Sequence, residues 1–305
     1  MLRRCSFGRR DVRVNIFVCL IGLLLALSGC ALAPPIESSP SVPTPAPIPS
    51  PSPPTSRSVH LRLGNPSNAV ADLAQADNYL MVKPQYALSY NRSKGTPNWV
   101  SWQLNSKWLG EAERQNNFRP DPQLPTGWYR VTPRDYTNSG FDRGHLTSSE
   151  DRGGTVEANS ATFLMTNIIP QAPDNNQGPW VALEEYCRDL VRQGKELYII
   201  AGGRGQGGVG GKGAMTTLAV GKVVVPASTW KVIVVLDKPS IGLKGITSKT
   251  RVIAVEMPNR QGIKRNSWQS FKTSVDQIEA KTQYDFLSTV PQSVQTVIEA
   301  NVDSQ

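Results

Sequence analysis

A proline-rich segment between residues 31 and 55 sets the strongest limit on how this chain can fold. Ten of these 25 residues are proline, and most of the others are small, such as serine, threonine and alanine. Proline lacks a backbone N–H donor and favours extended polyproline II, so this composition cannot build a packed core. Any globular fold must follow the segment. We therefore predict a linker over residues 30–57 and one folded domain over residues 58–305.

The segment before the linker has the pattern of an export signal. Residues 1–29 carry five arginines and include an apolar run over residues 16–27, which is too short to span a bilayer. The sequence Leu-Ser-Gly-Cys that ends at Cys30 resembles a bacterial lipobox, in which the chain is cut before the cysteine and the cysteine is lipidated. We predict an exported lipoprotein, anchored in a membrane through Cys30 on the periplasmic or extracellular side. Cleavage after Ala33 would instead give a secreted protein. We expect the proline-rich linker to act as a semi-rigid spacer that holds the domain clear of the membrane; the alternative is a linker with no role beyond tethering.

The charge of the chain indicates a polyanionic partner. Its formal net charge is +9, and because residues 1–29 contribute +4, the rest of the chain is also basic. A basic surface suits nucleic acid or an anionic membrane. The alternative is that the charge only keeps a soluble protein away from its isoelectric point.

The few cysteines and histidines exclude two kinds of site. Once the leader is removed and Cys30 is lipidated, Cys187 alone remains, so no intrachain disulfide can form. Cys187 lies at helical spacing from apolar neighbours, which indicates a small buried hydrophobe rather than a nucleophile. The chain contains two histidines, His60 and His145, so a zinc site with several histidine ligands is excluded.

Apolar periodicity predicts a domain of the α+β class. Short runs rich in β-branched and aromatic residues predict strands over 85–90, 99–104, 163–166, 197–201, 217–225, 230–236 and 251–257. Turn residues separate several of these runs, which favours antiparallel pairing. A helical period is clearest from Trp180 to Val191, and Gly194 suits the end of that helix. Two further helices are predicted over 273–281 and 291–301.

A glycine-rich segment over residues 202–213 contains one match to the pattern G-x-G-x-x-G, at 205–210. A strand rather than a helix is predicted after it, and the Walker pattern fails at Gln206 and Gly213. We therefore expect a mobile hairpin loop and not a phosphate-binding loop.

The polar residues between 141 and 188 form the chemical centre of the sequence. His145 lies three residues after Asp142, in a polar turn that also contains Arg143. Histidine can remove a proton from water near neutral pH, and arginine can stabilise negative charge on a phosphate. A lone histidine is more often structural, but this context favours a general base.

Asn176 and Glu184 offer the oxygen atoms that a hard cation prefers. Mg²⁺ keeps several waters and often takes only one or two protein ligands, so one amide oxygen can be enough. In a continuous helix the two side chains would be about 80° apart after two turns and could face one site. Arg188 lies four residues after Glu184 and can pair with it or with a phosphate. The alternatives are a solvated surface ion pair for Glu184 and Arg188, and a helix cap for Asn176.

These residues closely resemble the DNA/RNA non-specific endonuclease family of the ββα-metal superfamily. The family signature matches Asp142-Arg143-Gly144-His145, and a downstream pattern runs from Asn167 through Gln171 and Asn176 to Glu184. The similarity also extends over 97–104, 112–114 and 195–199. It spans most of the chain after the linker and is closest to the exported NucA-type branch. The resemblance implies a mostly antiparallel central sheet flanked by helices, with the active site in a ββα-metal finger.

The same resemblance implies roles for individual residues. His145 would be the general base that activates water. Asn176 would be the sole direct protein ligand of Mg²⁺ or Mn²⁺, and Glu184 would orient metal-bound waters.

Three arginines and one aspartate complete the set that the resemblance implies. Arg114 would steady charge on the phosphoryl group, and Arg143 and Arg188 would support phosphate binding. Arg143 would also belong to the catalytic group. Asp142 would brace the turn rather than react.

The resemblance implies a hydrolase that cuts DNA and RNA without regard to sugar or sequence and leaves 5′-phosphate and 3′-hydroxyl ends. Its partners would be its DNA and RNA substrates and, through Cys30, a membrane. We also expect a protein inhibitor as a partner. The competing interpretation is a surface lipoprotein that captures nucleic acid without cutting it.

Overall fold

The computed structural model describes residues 58–305 of the chain. The predicted signal peptide, the lipidation site at Cys30 and the proline-rich linker lie outside the described residues. Within residues 58–305, none of the helices is both long enough and apolar enough to cross a membrane.

A seven-stranded sheet forms the centre of the fold. The described residues form the main sheet and three two-stranded sheets. In chain order, their strands are β1 (Tyr79–Val82), β2 (Ala87–Asn91), β3 (Thr96–Leu104), β4 (Asp142–His145), β5 (Ile168–Gln171), β6 (Glu196–Arg204), β7 (Gly208–Gly210), β8 (Gly213–Met215), β9 (Thr217–Leu218), β10 (Val223–Val224), β11 (Ser228–Leu236), β12 (Arg251–Pro258) and β13 (Lys272–Thr273). The spatial order in the main sheet is β1-β2-β3-β6-β11-β12-β13, and every neighbouring pair is antiparallel. The predicted α+β class with an antiparallel centre is therefore confirmed.

Helices cover the two faces of this sheet separately. They are α1 (Val156–Ala161), α2 (Pro173–Asn175), α3 (Val181–Arg192), α4 (Val275–Thr282) and α5 (Gln292–Ile298). Leu183 of α3 packs in one apolar cluster with Ile199 of β6, whereas Ile278 of α4 packs in another with the adjacent Tyr198. Successive strand residues point to opposite faces, so α3 covers one face (the α3 face) and α4 and α5 cover the other (the α4–α5 face).

Helix α3 buries an apolar stripe and ends at a glycine, as predicted. Leu183, Cys187 and Leu190 are each at most 3% exposed, and full burial of such a leucine stabilises the fold by about 1.5–3 kcal/mol. Gly194 has a φ of 89°, in the left-handed region, and its N–H donates to the Val191 carbonyl at 2.9 Å. Cys187 is a free, buried thiol, which confirms its assignment as a small core residue.

The ββα finger predicted from the family resemblance is formed by β4, β5 and α3. In the antiparallel β4–β5 pair, Gly144 lies opposite Ile169 and His145 opposite Ile168. A Cβ atom at Gly144 would collide with the side chain of Gln171, so this position of the motif accepts only glycine.

One predicted strand is misplaced. The segment 163–166 is not a strand, because Met165–Asn167 forms a 3₁₀ turn and β5 begins at Ile168. The Asn167 amide accepts from the Thr147 N–H at 2.9 Å and donates to the Thr147 carbonyl at 2.9 Å. Within 163–166 itself the backbone makes only an isolated parallel bridge, in which the Arg119 N–H donates to the Phe163 carbonyl at 3.1 Å and the Met165 N–H donates to the Arg119 carbonyl at 2.9 Å.

Other predicted boundaries shift where the backbone turns. The strand predicted over 217–225 is split into β9 and β10 by a turn in which Ala219 and Val220 have positive φ angles of 51° and 53°. A π-helical turn over Asn176–Trp180 precedes α3, and Gly178 within it is non-helical, with φ −120° and ψ −112°. The helix is thus not continuous from Asn176 to Glu184, and the 80° argument from helical geometry was wrong. The glycine-rich segment forms the predicted hairpin, β7–β8.

Candidate active site

His145 ends β4 and lines a cavity of about 300 Å³ together with Asn176 and Glu184. The residue is 9% exposed, and its ring lies 5.3 Å from Phe118 and 4.9 Å from Phe163 between ring centroids. Its Nε2 atom is buried and has no hydrogen-bond partner among residues 58–305. Leaving such an atom unpaired is costly in a purely structural residue, which favours a chemical role.

The protonation state of His145 suits a proton acceptor. Burial, followed by the positive charges of Arg114 and Arg143, lowers its pKa from 6.5 to about 3. The imidazole is therefore neutral throughout the neutral pH range, and a neutral ring can accept a proton from water.

The amide of Asn176 is oriented by Asp142. The Asn176 Nδ2 atom donates to Asp142 Oδ2 at 2.8 Å, and Gln177 Nε2 donates to the same oxygen at 2.9 Å. A carboxylate accepts only, so it fixes the nitrogen side of the amide and leaves the Asn176 oxygen for another ligand. Asp142 is thus a brace, as predicted. Among the described residues, the Asn176 side chain makes no capping bond to a backbone N–H, and its hydrogen bond goes to Asp142.

Glu184 lies in the first turn of α3 and is buried, at 8% exposed. Its Oε1 atom accepts no hydrogen bond within the described chain and lies 3.8 Å from Lys231 Nζ. Burial raises the pKa of Glu184, and the charge of Lys231 opposes that rise. The alternative of a solvated surface ion pair is therefore wrong for this residue.

Lys231 is a site residue that sequence reasoning missed. It is 1% exposed on β11, and its Nζ atom lies 4.1 Å from the ring centroid of Trp180 and 5.8 Å from that of Trp102. The two rings hold the ammonium group by cation–π attraction beneath Glu184. A lysine directly before the apolar residues 232–236 of β11 was the available signal, because a buried charge needs a partner.

Arg114 and Arg143 supply the exposed positive charge of the cavity. The Arg114 guanidinium donates to Ser149 Oγ and stacks over Phe163, 5.0 Å from its centroid. Arg143 stacks over Phe118 at 4.3 Å. Aromatic stacking holds both side chains in place and leaves their remaining N–H groups free to bind an anion.

Arg188 is held by carboxylates. It is 3% exposed, and its guanidinium pairs with Glu150 at 2.6 Å and with Asp151 at 3.2 Å. The solvated surface pair is wrong here too. The phosphate-binding role of Arg188 stays a prediction, and its partners in the structure are the two acids rather than Glu184.

His60 plays a structural part outside the site. It lies in a 3₁₀ turn, Val59–Leu61. Its ring bonds the Pro84 carbonyl at 2.8 Å and accepts from the Gln103 N–H at 3.2 Å. Burial lowers its pKa to about 4, so the ring is neutral.

The donors in the cavity fit a hard divalent cation. The Asn176 oxygen and the unpartnered Glu184 Oε1 line one cavity, and both are the oxygen ligands that Mg²⁺ and Mn²⁺ take. Among residues 58–305, the one cluster of three acids or histidines that could hold a metal lies elsewhere, on α4 and after α5. A cation in the active site would accordingly depend on few protein ligands and several waters.

The antiparallel sheet, the ββα finger and this cavity define a ββα-metal nuclease fold. A sequence model of the family "DNA/RNA non-specific endonuclease" matches residues 63–293. The chain therefore belongs to the DNA/RNA non-specific endonuclease family, as predicted.

Individual relatives agree with that assignment. The chain is 60% identical over 249 residues to a nuclease of Nostoc sp. strain PCC 7120, which covers 82% of this chain and 88% of that protein. It is 34% identical over 158 residues to the human mitochondrial nuclease EXOG, over 48% of this chain and 42% of that protein. A crystal structure of an EndoG/EndoGI complex has the same fold, with a TM-score of 0.64 at 22% identity over 80% of this chain and 96% of that chain.

Proposed function

We propose that this protein is a metal-dependent endonuclease that hydrolyses phosphodiester bonds of both DNA and RNA and leaves 5′-phosphate and 3′-hydroxyl ends. The observation that carries the proposal is the cavity that places a neutral His145 beside the Asn176 amide and the exposed Arg114 and Arg143. Mere capture of nucleic acid would need the cations alone.

His145 is the general base in this mechanism. A phosphodiester is anionic and repels a nucleophile, so water must lose a proton as it attacks. The imidazole is available to accept that proton, because its lowered pKa leaves it unprotonated at neutral pH and its Nε2 atom has no partner in the described chain.

Charge stabilisation falls to the arginines and to a cation. Arg114 and Arg143 donate to the non-bridging oxygens, where negative charge grows in the transition state. Asn176 would hold Mg²⁺ or Mn²⁺ directly and Glu184 through water. When bound, the cation neutralises charge on the phosphate and on the leaving 3′ oxygen.

The surface beside the site supports a nucleic-acid substrate. A loop over residues 259–266 carries Arg260, Lys264 and Arg265, all exposed. This loop packs closely against the π-helical turn at Gly178. A Cβ atom at Gly178 would lie 2.6 Å from the Lys264 carbonyl oxygen, so the contact requires glycine. Lys264 Nζ also bonds Gln177 Oε1 at 3.4 Å. These positive charges would extend phosphate binding along the backbone of the bound nucleic acid.

Contacts of this type favour broad specificity. Phosphate contacts carry little sequence information. A base that the protein itself supplies also makes the 2′-hydroxyl of RNA unnecessary, so both sugars are accepted.

The place of action in the proposal is outside the cytoplasm, as for the exported NucA-type branch, with lipid at Cys30. Metabolic labelling with a radioactive fatty acid tests the anchor. We expect Cys30→Ala to abolish the label and to release or misprocess the protein. A wild-type protein without lipid and unchanged in fractionation would favour simple secretion.

The catalytic proposal is tested with supercoiled plasmid and with purified RNA, each in Mg²⁺, in Mn²⁺ and in chelator. We expect both substrates to be cut only with metal, and we expect nicked DNA ends that ligase can reseal. The variant Asn176→Ala tests the proposed metal ligand and needs a control asparagine. Asn175 is unsuitable, because it is 0% exposed and its side chain bonds Thr229 at 2.9 Å. The exposed Asn301 is a better match. Cutting in chelator would refute the metal requirement, and binding without cutting would favour the capture protein.

A further inference from the structure

Three carboxylates meet on the α4–α5 face, on the opposite side of the sheet from His145. We call Asp276, Glu279 and Glu299 the acidic cluster. The first two lie on α4 and the third directly follows α5, and one oxygen from each lies within 4.8 Å of the others. The Asp276 N–H donates to the Glu299 carbonyl at 3.1 Å, which fixes the two segments together.

Glu299 is the unusual member of the cluster. The residue is only 5% exposed, and its Oε1 atom has no hydrogen-bond partner in the described part of the chain. A buried carboxylate oxygen without a donor is unfavourable, and two more carboxylates beside it add repulsion. Something must therefore compensate this group.

No lysine or arginine of residues 58–305 forms an ion pair with Glu299, and the charged groups that act on it are acids. Lys281 of α4 pairs with Glu256 at 2.6 Å, and Lys272 of β13 pairs with Asp303 at 3.0 Å. Burial, followed by repulsion from nearby acids, raises the pKa of Glu299 to about 8. In the metal-free protein, the cluster can hold a proton in place of a cation.

We propose that the acidic cluster is a second divalent-cation site, separate from the active site, that takes Ca²⁺. All its ligands are carboxylate oxygens, which suit a hard cation and not zinc. Ca²⁺ accepts six to eight oxygens in flexible geometry, and waters can complete its shell at the exposed Asp276. Mg²⁺ demands a near-ideal octahedron, which a half-buried site of this kind supplies less easily.

Such a cation would clamp the C-terminal segment to the domain. It would join α4 to the residue that follows α5, and Glu299 lies beyond the segment matched by the family model, which ends at 293. The expected effect is on stability, with turnover at His145 unchanged, because the central sheet separates the two sites.

The test uses the full folded chain with Asn176→Ala, so that Ca²⁺ in the active site does not confuse the result. Isothermal titration with CaCl₂ should give one site in the range of about 10⁻⁴–10⁻³ M that is typical of weak sites. At ten times that Kd, mass action predicts a Tm rise of roughly 3–5 °C for a domain of this size.

Two variants and a control decide the assignment. Glu299→Gln in the same background should keep or raise the Tm without Ca²⁺, since it removes repulsion, and should lose both the Ca²⁺ response and the titration heat. Asp276→Asn should weaken binding at least tenfold. Glu157→Gln, an exposed acid on α1, should behave as its parent.

Two results would overturn the proposal. No Ca²⁺ binding by the parent at 10 mM, a concentration about tenfold above the weak-site range, would mean that Glu299 is simply a neutral buried acid. Binding that persists in Glu299→Gln would place the ion elsewhere. Neither result bears on nuclease activity, which is measured separately in the chain with Asn176 intact.

Discussion

We expect Lys231→Met to lower both the stability of the protein and its kcat. Lys231 is 1% exposed, 3.8 Å from Glu184 Oε1 and 4.1 Å from the Trp180 centroid. Removing one member of a buried ion pair costs about 3–5 kcal/mol, part of which is the charge left behind. The long separation and the ability of Glu184 to take up a proton favour the lower end, about 3 kcal/mol.

Urea unfolding measures this loss, and a double-mutant cycle assigns it. Lys249→Met, at an exposed lysine, is the control and should change the unfolding free energy by less than about 0.5 kcal/mol. Glu184→Gln combined with Lys231→Met removes both charges. We expect the double variant to lose about 1–3 kcal/mol less unfolding free energy than the two single variants lose in total, a coupling energy typical of contacting groups.

Measuring kcat for the same variants separates two roles of Lys231: orienting the Glu184 carboxylate and filling space in the core. The double variant should regain stability and not kcat, because no carboxylate remains to orient water. The reasoning is refuted if Lys231→Met costs the same in the wild-type and the Glu184→Gln backgrounds, since Lys231 would then act through packing alone. Full kcat in the folded single variant would equally contradict it.

Four further predictions concern the active site. His145→Ala should lower kcat by about 10²–10⁴-fold. With metal saturating, the wild-type kcat should vary little between about pH 5 and pH 8, because the pKa of about 3 keeps His145 neutral there. A rise in kcat centred near pH 6.5 would contradict the burial of the ring. Stability should instead fall as the pH drops from 6.5 towards 3, because the unfolded chain binds protons at His145 and His60 that the folded chain does not bind, and acid titration of the unfolding midpoint checks this sign. Asn176→Ala should abolish plasmid cutting while Asn301→Ala should not; equal losses would reject Asn176 as a ligand. Arg114→Ala should lower kcat far more than it raises KM, and a pure KM effect in steady-state assays would make Arg114 a ground-state binder.

Local sequence patterns predicted much of the fold. The antiparallel strands around β6 and β11, helix α3 and its end at Gly194 follow from side-chain periodicity and from the conformational freedom of glycine. Segment 163–166 is not a strand, because its backbone pairs only through a single bridge to Arg119, which is distant in the chain, before the chain turns at Met165–Asn167. Periodicity contains no information about such a contact.

The sequence by itself determined the family and the α+β class, and it predicted His145, Asn176 and Glu184 as site residues, because the motif joins special residue types at fixed spacing. Only the tertiary structure decided their environments. The depressed pKa of His145 and the charge that Lys231 places under Glu184 both arise from burial among residues distant in the chain. Burial removes water, and without water the energy of a charge depends on whichever groups the fold brings within a few ångströms.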